Sequence, residues 1–181
     1  MASFICITPS YGVSGVSLSV VVSETDLTIN TLLQKVALET QKRIEVEAAD
    51  IVVVPEFDFR GHTGRAFMPD TVAFYKFAKA ELPDRTIAIA EQPGKESIID
   101  LRSADLWLPT LIVQSILLPL LVNIIWELLK KLKADKERGQ VHVAIIVEDR
   151  KQGKAKRLSY DGPSDAFADA FAPLDVKELL R

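Results

Sequence analysis

Residues Leu106 to Trp126, "LWLPTLIVQSILLPLLVNIIW", carry no formal charge, in a chain of which 26% is charged. A helix of that length, at 1.5 Å per residue, matches a hydrocarbon core of about 30 Å. Trp107 and Trp126 stand at its ends as interfacial anchors would, and Lys130, Lys131 and Lys133 follow. The positive-inside rule would place those lysines in the cytoplasm and require the hundred residues before the segment to cross the membrane, although "MASFICITPS" has neither the basic start nor the long apolar run of a signal. Pro119 should kink the helix. Before it the apolar side chains go all round; after it Asn123, Glu127 and Lys130 form a polar edge opposite Leu121, Ile125, Leu128 and Leu132. The first reading is therefore a helix over 104–134, kinked at Pro119 and buried in this protein or in a subunit interface. A membrane span or a conditionally inserted segment is the alternative. A chain of 181 residues covers an all-apolar helix poorly by itself, so a homo-oligomer or a protein partner is expected. Its interface would use Leu106, Trp107, Leu117, Leu121, Ile125, Trp126 and Leu128.

The flanking sequence has the alternating periods of an α/β layer. "SFICITPS" and "VSLSVVVSE" read as strands. Ile29, Leu32, Leu33, Val36 and Ala37 follow helical spacing, with Asp26 or Thr28 as the cap. "ADIVVVPEF" and "RTIAIAEQ" suit buried strands, the spacing between them predicts a helix from Asp70 to Leu82 stopped by Pro83, and this order implies a parallel crossover. "KESIIDLRS" is expected to add a strand. "VHVAIIVEDRKQGKAKRLSYDG" reads as a hairpin turning at Asp149 to Gly153, followed by two short helices, the first capped by Ser164. The expected fold is α/β: a small mixed sheet with flanking helices, the long apolar helix, then a C-terminal β-hairpin with short helices. The boundaries fall at 1–103, 104–134 and 135–181.

Charge and composition narrow the function classes. A net charge of −3 gives no general attraction to nucleic acid, and the basic run Arg150, Lys151, Lys154, Lys156 and Arg157 is flanked by Glu148, Asp149 and Asp161. That run reads as a solvated strand edge. The one cysteine, Cys6, cannot form an internal disulfide, which fits a cytoplasmic setting. Two histidines far apart, His62 and His142, do not make a metal site, and His142 is placed on the solvent side of a hairpin strand. "QPGKES" and "GVSG" lack the further glycines of phosphate and dinucleotide loops, so no cofactor is expected.

The polar cluster "PEFDFRGHTGR" directly follows a buried strand, where α/β proteins usually carry their sites. Glu56 and His62 are the candidate catalytic residues there, and Asp58 and Arg60 the candidate ligand-binding ones. The run "EAADIVVVPEFDFRGH" resembles the segment of nitrilase-type carbon–nitrogen hydrolases in which a strand ends in Pro-Glu; the resemblance implies Glu56 as general base. Those enzymes also need a downstream cysteine nucleophile, and Cys6 lies upstream. The overall layout, through "LRSADLWLP", "LLPLLVNIIWELLKKL" and "RLSYDGPSD", resembles small accessory proteins of bacterial conflict and antiphage systems. The resulting expectation is a non-catalytic assembly or adaptor protein acting through Leu106 to Leu132. A membrane-active effector and a small hydrolase using the loop after Val54 are the second and third readings.

Overall fold

The computed structural model describes residues 20–61, 63–101, 103–133 and 139–180. The expected first strand, Cys6, His62 and the "GVSG" turn lie outside them.

The fold is mixed α/β. In chain order the elements are β1 (Val21–Glu24), α1 (Ile29–Lys35), α2 (Thr40–Ala48), β2 (Ile51–Val54), β3 (Glu56–Phe57), β4 (Arg65–Ala66) and α3 (Thr71–Glu81). There follow β5 (Ile87–Ile89), β6 (Leu106–Trp107), β7 (Thr110–Gln114), α4 (Leu118–Lys133), β8 (Gln140–Asp149), β9 (Lys154–Pro163), α5 (Phe167–Phe171) and α6 (Val176–Leu179). Seven strands form one sheet in the order β1-β9-β8-β7-β2-β5, with β6 also beside β8. β2 runs parallel to β5 and antiparallel to β7, and β7 runs parallel to β8. That sheet takes strands from each of the three segments into which the sequence divides.

The charge-free segment is a strand–turn–helix, not one helix. Ile112 and Val113 of β7 are buried on opposite faces of the sheet, so the strand is apolar without alternation. β6 and β7 lie along β8 as one line, interrupted at Leu108 and Pro109, where proline has no N–H for the ladder. A 3-10 turn, Ser115–Leu117, leads into α4. Pro119 falls in the first turn of that helix, where the missing N–H leaves no bond unmade, so it begins the helix instead of kinking it. Leu118, Leu121, Ile125 and Leu128 face the sheet, while Asn123 and Lys130 are exposed, as the expected polar edge requires. Among the described residues no helix is long and apolar enough to cross a membrane.

The helix expected around residues 29–37 begins at Thr28, whose hydroxyl and that of Thr31 form a reciprocal cap. It stops at Lys35, and α2 follows separately. α3 matches its expected span, and the hairpin turns at residues 150–153. "KESIIDLRS" contributes a single bridge, Ile98 to Phe67, instead of a strand. Ser164 lies inside a 3-10 turn with no side-chain capping bond.

The two sheet faces are covered unequally. Alternate residues Ile51, Val53, Leu111, Val113, Ile145 and Leu158 pack under α3, α4 and α5. On the opposite face α1 and α2 cover Val52, Val54, Ala88, Ile112 and Ile146, one end of the sheet only. Arg150 fixes that edge by donating to the carbonyls of Glu47 and Ala49 at 3.0 and 2.9 Å.

Glu148, 3% exposed, sits at the start of α1, where the Ile29 amide donates to it at 3.4 Å. Burial pushes its carboxyl above the ordinary range, offset in part by that amide and by Arg150. A carboxyl raised in the folded chain holds its proton more tightly there, so it costs stability at pH above its folded value and nothing well below its unfolded one. Glu148→Gln keeps an acceptor for Ile29 and removes the charge. It should raise the denaturant midpoint at pH 7, and the gain should vanish as pH falls below about 4; urea titrations at both pH values check this.

Candidate functional site

The half of the sheet face that α1 and α2 leave open is the floor of a cleft of about 180 Å³. Strand register puts its residues in rows. His142 lies beside Asp161, Ala144 beside Ser159, and Ile146 beside Arg157, all on one face. Thr110 at the start of β7 and Trp107 of β6 continue the floor, and Glu56, Phe59 and Met68 form the wall past the end of β2. Ala144 has no side chain beyond Cβ, which leaves the centre of the floor low.

The wall is held at several points. After Pro55 the chain leaves the sheet as β3, which pairs with β4. Arg65 on β4 pairs at 3.1 Å with the buried carboxylate of Glu91, just past β5. Asp70 accepts the Trp107 amide at 2.8 Å and donates its own N–H to the Trp107 carbonyl at 3.1 Å. Between β3 and β4, Asp58 and Arg60 take positive φ of 51° and 48°, a backbone state that costs a side-chain-bearing residue about 1 kcal/mol or more. Two bonds offset it: the Asp58 carboxylate accepts the Gly64 amide, and the Asp58 amide donates to the Gly64 carbonyl, both at 3.0 Å. The Arg60 guanidinium rests 4.8 Å from the Trp107 ring and 5.2 Å from Phe59.

Within the cleft most acceptors are already engaged. Thr110 donates its hydroxyl to Glu56. The His142 ring stacks on Trp107 with centroids 3.8 Å apart, and its Nδ1 is 2.6 Å from Asp161. Because a carboxylate only accepts, Nδ1 carries the proton of that bond. Asp105 approaches Nε2 at 3.7 Å, beyond hydrogen-bond reach. The Ser103 hydroxyl first, then the Gln140 amide and the imidazole, hold the Asp105 carboxyl below its ordinary range against the opposing effect of burial. Arg157 donates Nε to Ser159 at 3.3 Å, and among the described residues its guanidinium has no carboxylate partner.

Of the sequence-derived candidates, Glu56 lies in the cleft. Asp58 serves its own loop, and Arg60 packs on the aromatic pair beside the cleft. His142 is half-buried in the cleft, not on the solvent side. The basic run does not act as one solvated edge: Arg150 ties the hairpin to α2, Lys156 pairs with Glu24 at 3.3 Å, and Arg157 enters the cleft. Arg157, Ser159, Asp161 and Ala144 were not singled out as site residues, although hairpin alternation places all four on the His142 face; Trp107 was expected at an interface, not in a cleft. The expected interface residues Leu106, Trp107, Leu117, Leu121, Ile125 and Leu128 are buried within this chain, so its own sheet and helices meet the need for cover; Trp126 is half-buried. Among the described residues no group of acidic, histidine or cysteine side chains is arranged to hold a metal ion.

Fold and site together define an α/β domain with a polar cleft on a half-covered sheet face. No protein family, curated protein or solved structure matches this chain.

Proposed function

We propose that this chain is a binding protein that receives a small polar molecule in the cleft above Ala144. One observation carries the reading: the sheet face that α1 and α2 leave open presents a charged donor, Arg157, that the described residues leave without a counter-charge, in a cleft lined also by Glu56, Thr110, His142, Ser159 and Asp161. A protein surface needing only solubility would keep such an arginine in open water or pair it. The test is a panel of simple probes (acetate, methylammonium, acetamide, imidazole and glycerol) titrated into the labelled chain while amide resonances are followed. At least one probe should shift residues of the cleft, and Ala144→Leu, which fills the floor, should abolish the shifts while the rest of the spectrum stays native. A panel that leaves the cleft resonances unmoved would refute the reading.

A second reading keeps the assembly role, placed on a different surface from the one the sequence suggested. Ile116 is 80% exposed and adjoins an apolar groove of about 230 Å³ lined by Leu118, Pro119, Val122, Ala168, Phe171 and Leu174. A knob and a hole on one face suit a two-fold contact between copies of this chain. Sedimentation should then show a dimer that Ile116→Lys dissociates without unfolding; a wild-type monomer at high concentration removes this reading.

A further inference from the structure

The cleft's unmatched groups specify a ligand more closely than polarity alone, and resting on the binding reading above, we infer that it takes a free aliphatic α-amino acid. Three observations converge on that class.

The first is the pairing of charges. Asp161 is engaged by His142, and Asp105 by Ser103 and Gln140. Arg157 retains the terminal nitrogens of its guanidinium, a planar fork that matches a carboxylate in two parallel bonds. Ser159 beside it offers a hydroxyl. On the far side of the floor the half-buried Glu56 receives only the Thr110 hydroxyl among the described residues, so its carboxylate has capacity for an ammonium. A carboxylate site and an ammonium site thus face each other across one cleft.

The second is spacing. The Thr110 hydroxyl bonded to Glu56 lies on β7 and the Ser159 hydroxyl bonded to Arg157 lies on β9, with β8 alone between them, so these two hydroxyl positions stand two strand spacings apart, about 10 Å between backbones. An amino-acid head group lying over Ala144 would sit between the carboxylate held at Thr110 and the guanidinium held at Ser159. A longer diamine or dicarboxylate would place like charge against Glu56 or leave Arg157 unpaired.

The third is the wall. Phe59, Met68 and Trp107 close the Glu56 end with apolar surface, next to where the ligand's side chain would lie. The cleft of about 180 Å³ has room for an aliphatic side chain against that surface. The proposal concerns binding and implies no reaction.

The test uses three probes on the full chain: L-valine, isovalerate, which lacks the ammonium, and isobutylamine, which lacks the carboxylate. Calorimetry and amide shifts should show valine binding at the cleft at least tenfold more tightly than either half-ligand. Arg157→Gln should remove valine binding, and Glu56→Gln should weaken it towards that of isovalerate, with native spectra for both variants. Isovalerate binding as tightly as valine, with Arg157 still required, would overturn the amino-acid assignment and leave the cleft reading standing. So would valine leaving the cleft unmoved while another simple probe binds there. Silence of the cleft towards valine and every other probe would overturn both.

Discussion

Leu121→Asp should prevent the chain from folding at all. Leu121 is fully buried on the face of α4 that packs against the sheet, in the same core as Leu111, Ile125, Ile145 and Leu158. Truncation to alanine there removes transfer free energy and leaves a cavity, at a cost of about 3 kcal/mol. A carboxylate at the same place is surrounded by apolar side chains, and the Tyr160 hydroxyl of that cluster already donates to the Pro163 carbonyl, which raises the cost to on the order of 5 kcal/mol or more. A domain of this size has roughly 5–15 kcal/mol in total. Circular dichroism and denaturant melts of the aspartate and alanine variants distinguish two accounts. If α4 were an interface helix, the aspartate variant would remain folded and merely dissociate. If α4 is the covering layer of its own sheet, the aspartate variant is unfolded and the alanine variant is folded with a lower midpoint.

Trp107→Ala should cost about 3–4 kcal/mol and dismantle the cleft wall. The indole touches three layers of the site: it stacks on His142, meets Phe59 edge-on at 5.8 Å, and supports the Arg60 guanidinium. Behind it lie Ala66, Met68 and Ile99, a small cluster whose largest side chain is the indole itself. Its removal leaves that cluster open, and Arg60, strained at positive φ, loses the surface that holds its side chain in place. The chain should still fold, because the main core on the α4 face does not include Trp107. Hydrogen exchange should show the loss as faster opening of residues 56–61 and 63–66 ahead of the sheet. A midpoint shift of under about 1 kcal/mol, with that loop unchanged, would mean that the ring contributes little to the wall.

Much of the scaffold was legible because local chemistry and tertiary context agree. Thr28 and Thr31 mark a helix start by their spacing; Pro83 marks the end of α3; and the turn around Gly153, flanked by long apolar alternation, fixes the β8–β9 hairpin. The charge-free segment misled for a physical reason. A strand covered on both faces has no period-two pattern, and β7 passes through one 3-10 turn into a helix that is itself largely buried, so two elements of different period merge into one apolar run. Signals against a single helix were present: Pro109, the β-branched positions Thr110, Ile112 and Val113, and Pro119 followed by a one-sided pattern typical of a first-turn proline.

The candidate site was legible only in part. Glu56 could be found because it follows a buried strand. Once the hairpin register is known, alternation alone brings His142, Asp161, Ser159 and Arg157 to one face. Which half of that face stays open depends on α1 and α2 packing over Ile112 and Ile146 but not over Ala144, and no local pattern encodes that coverage. The half-burial of His142 follows from its stack on Trp107, thirty-five positions earlier in the chain, a contact created by the parallel pairing of β6 with β8.

On the proposed reading, the half of the sheet face that α1 and α2 leave open is where this protein meets its ligand. The most direct measurement is an amide chemical-shift map of the full chain with L-valine and with the simple probes, each compared with the Ala144→Leu variant. Shifts concentrated at Glu56, Trp107, Ala144, Arg157 and Ser159, and absent from the variant, are the predicted result. Shifts confined to the groove between α4 and α5, with the cleft silent towards every compound, would contradict it.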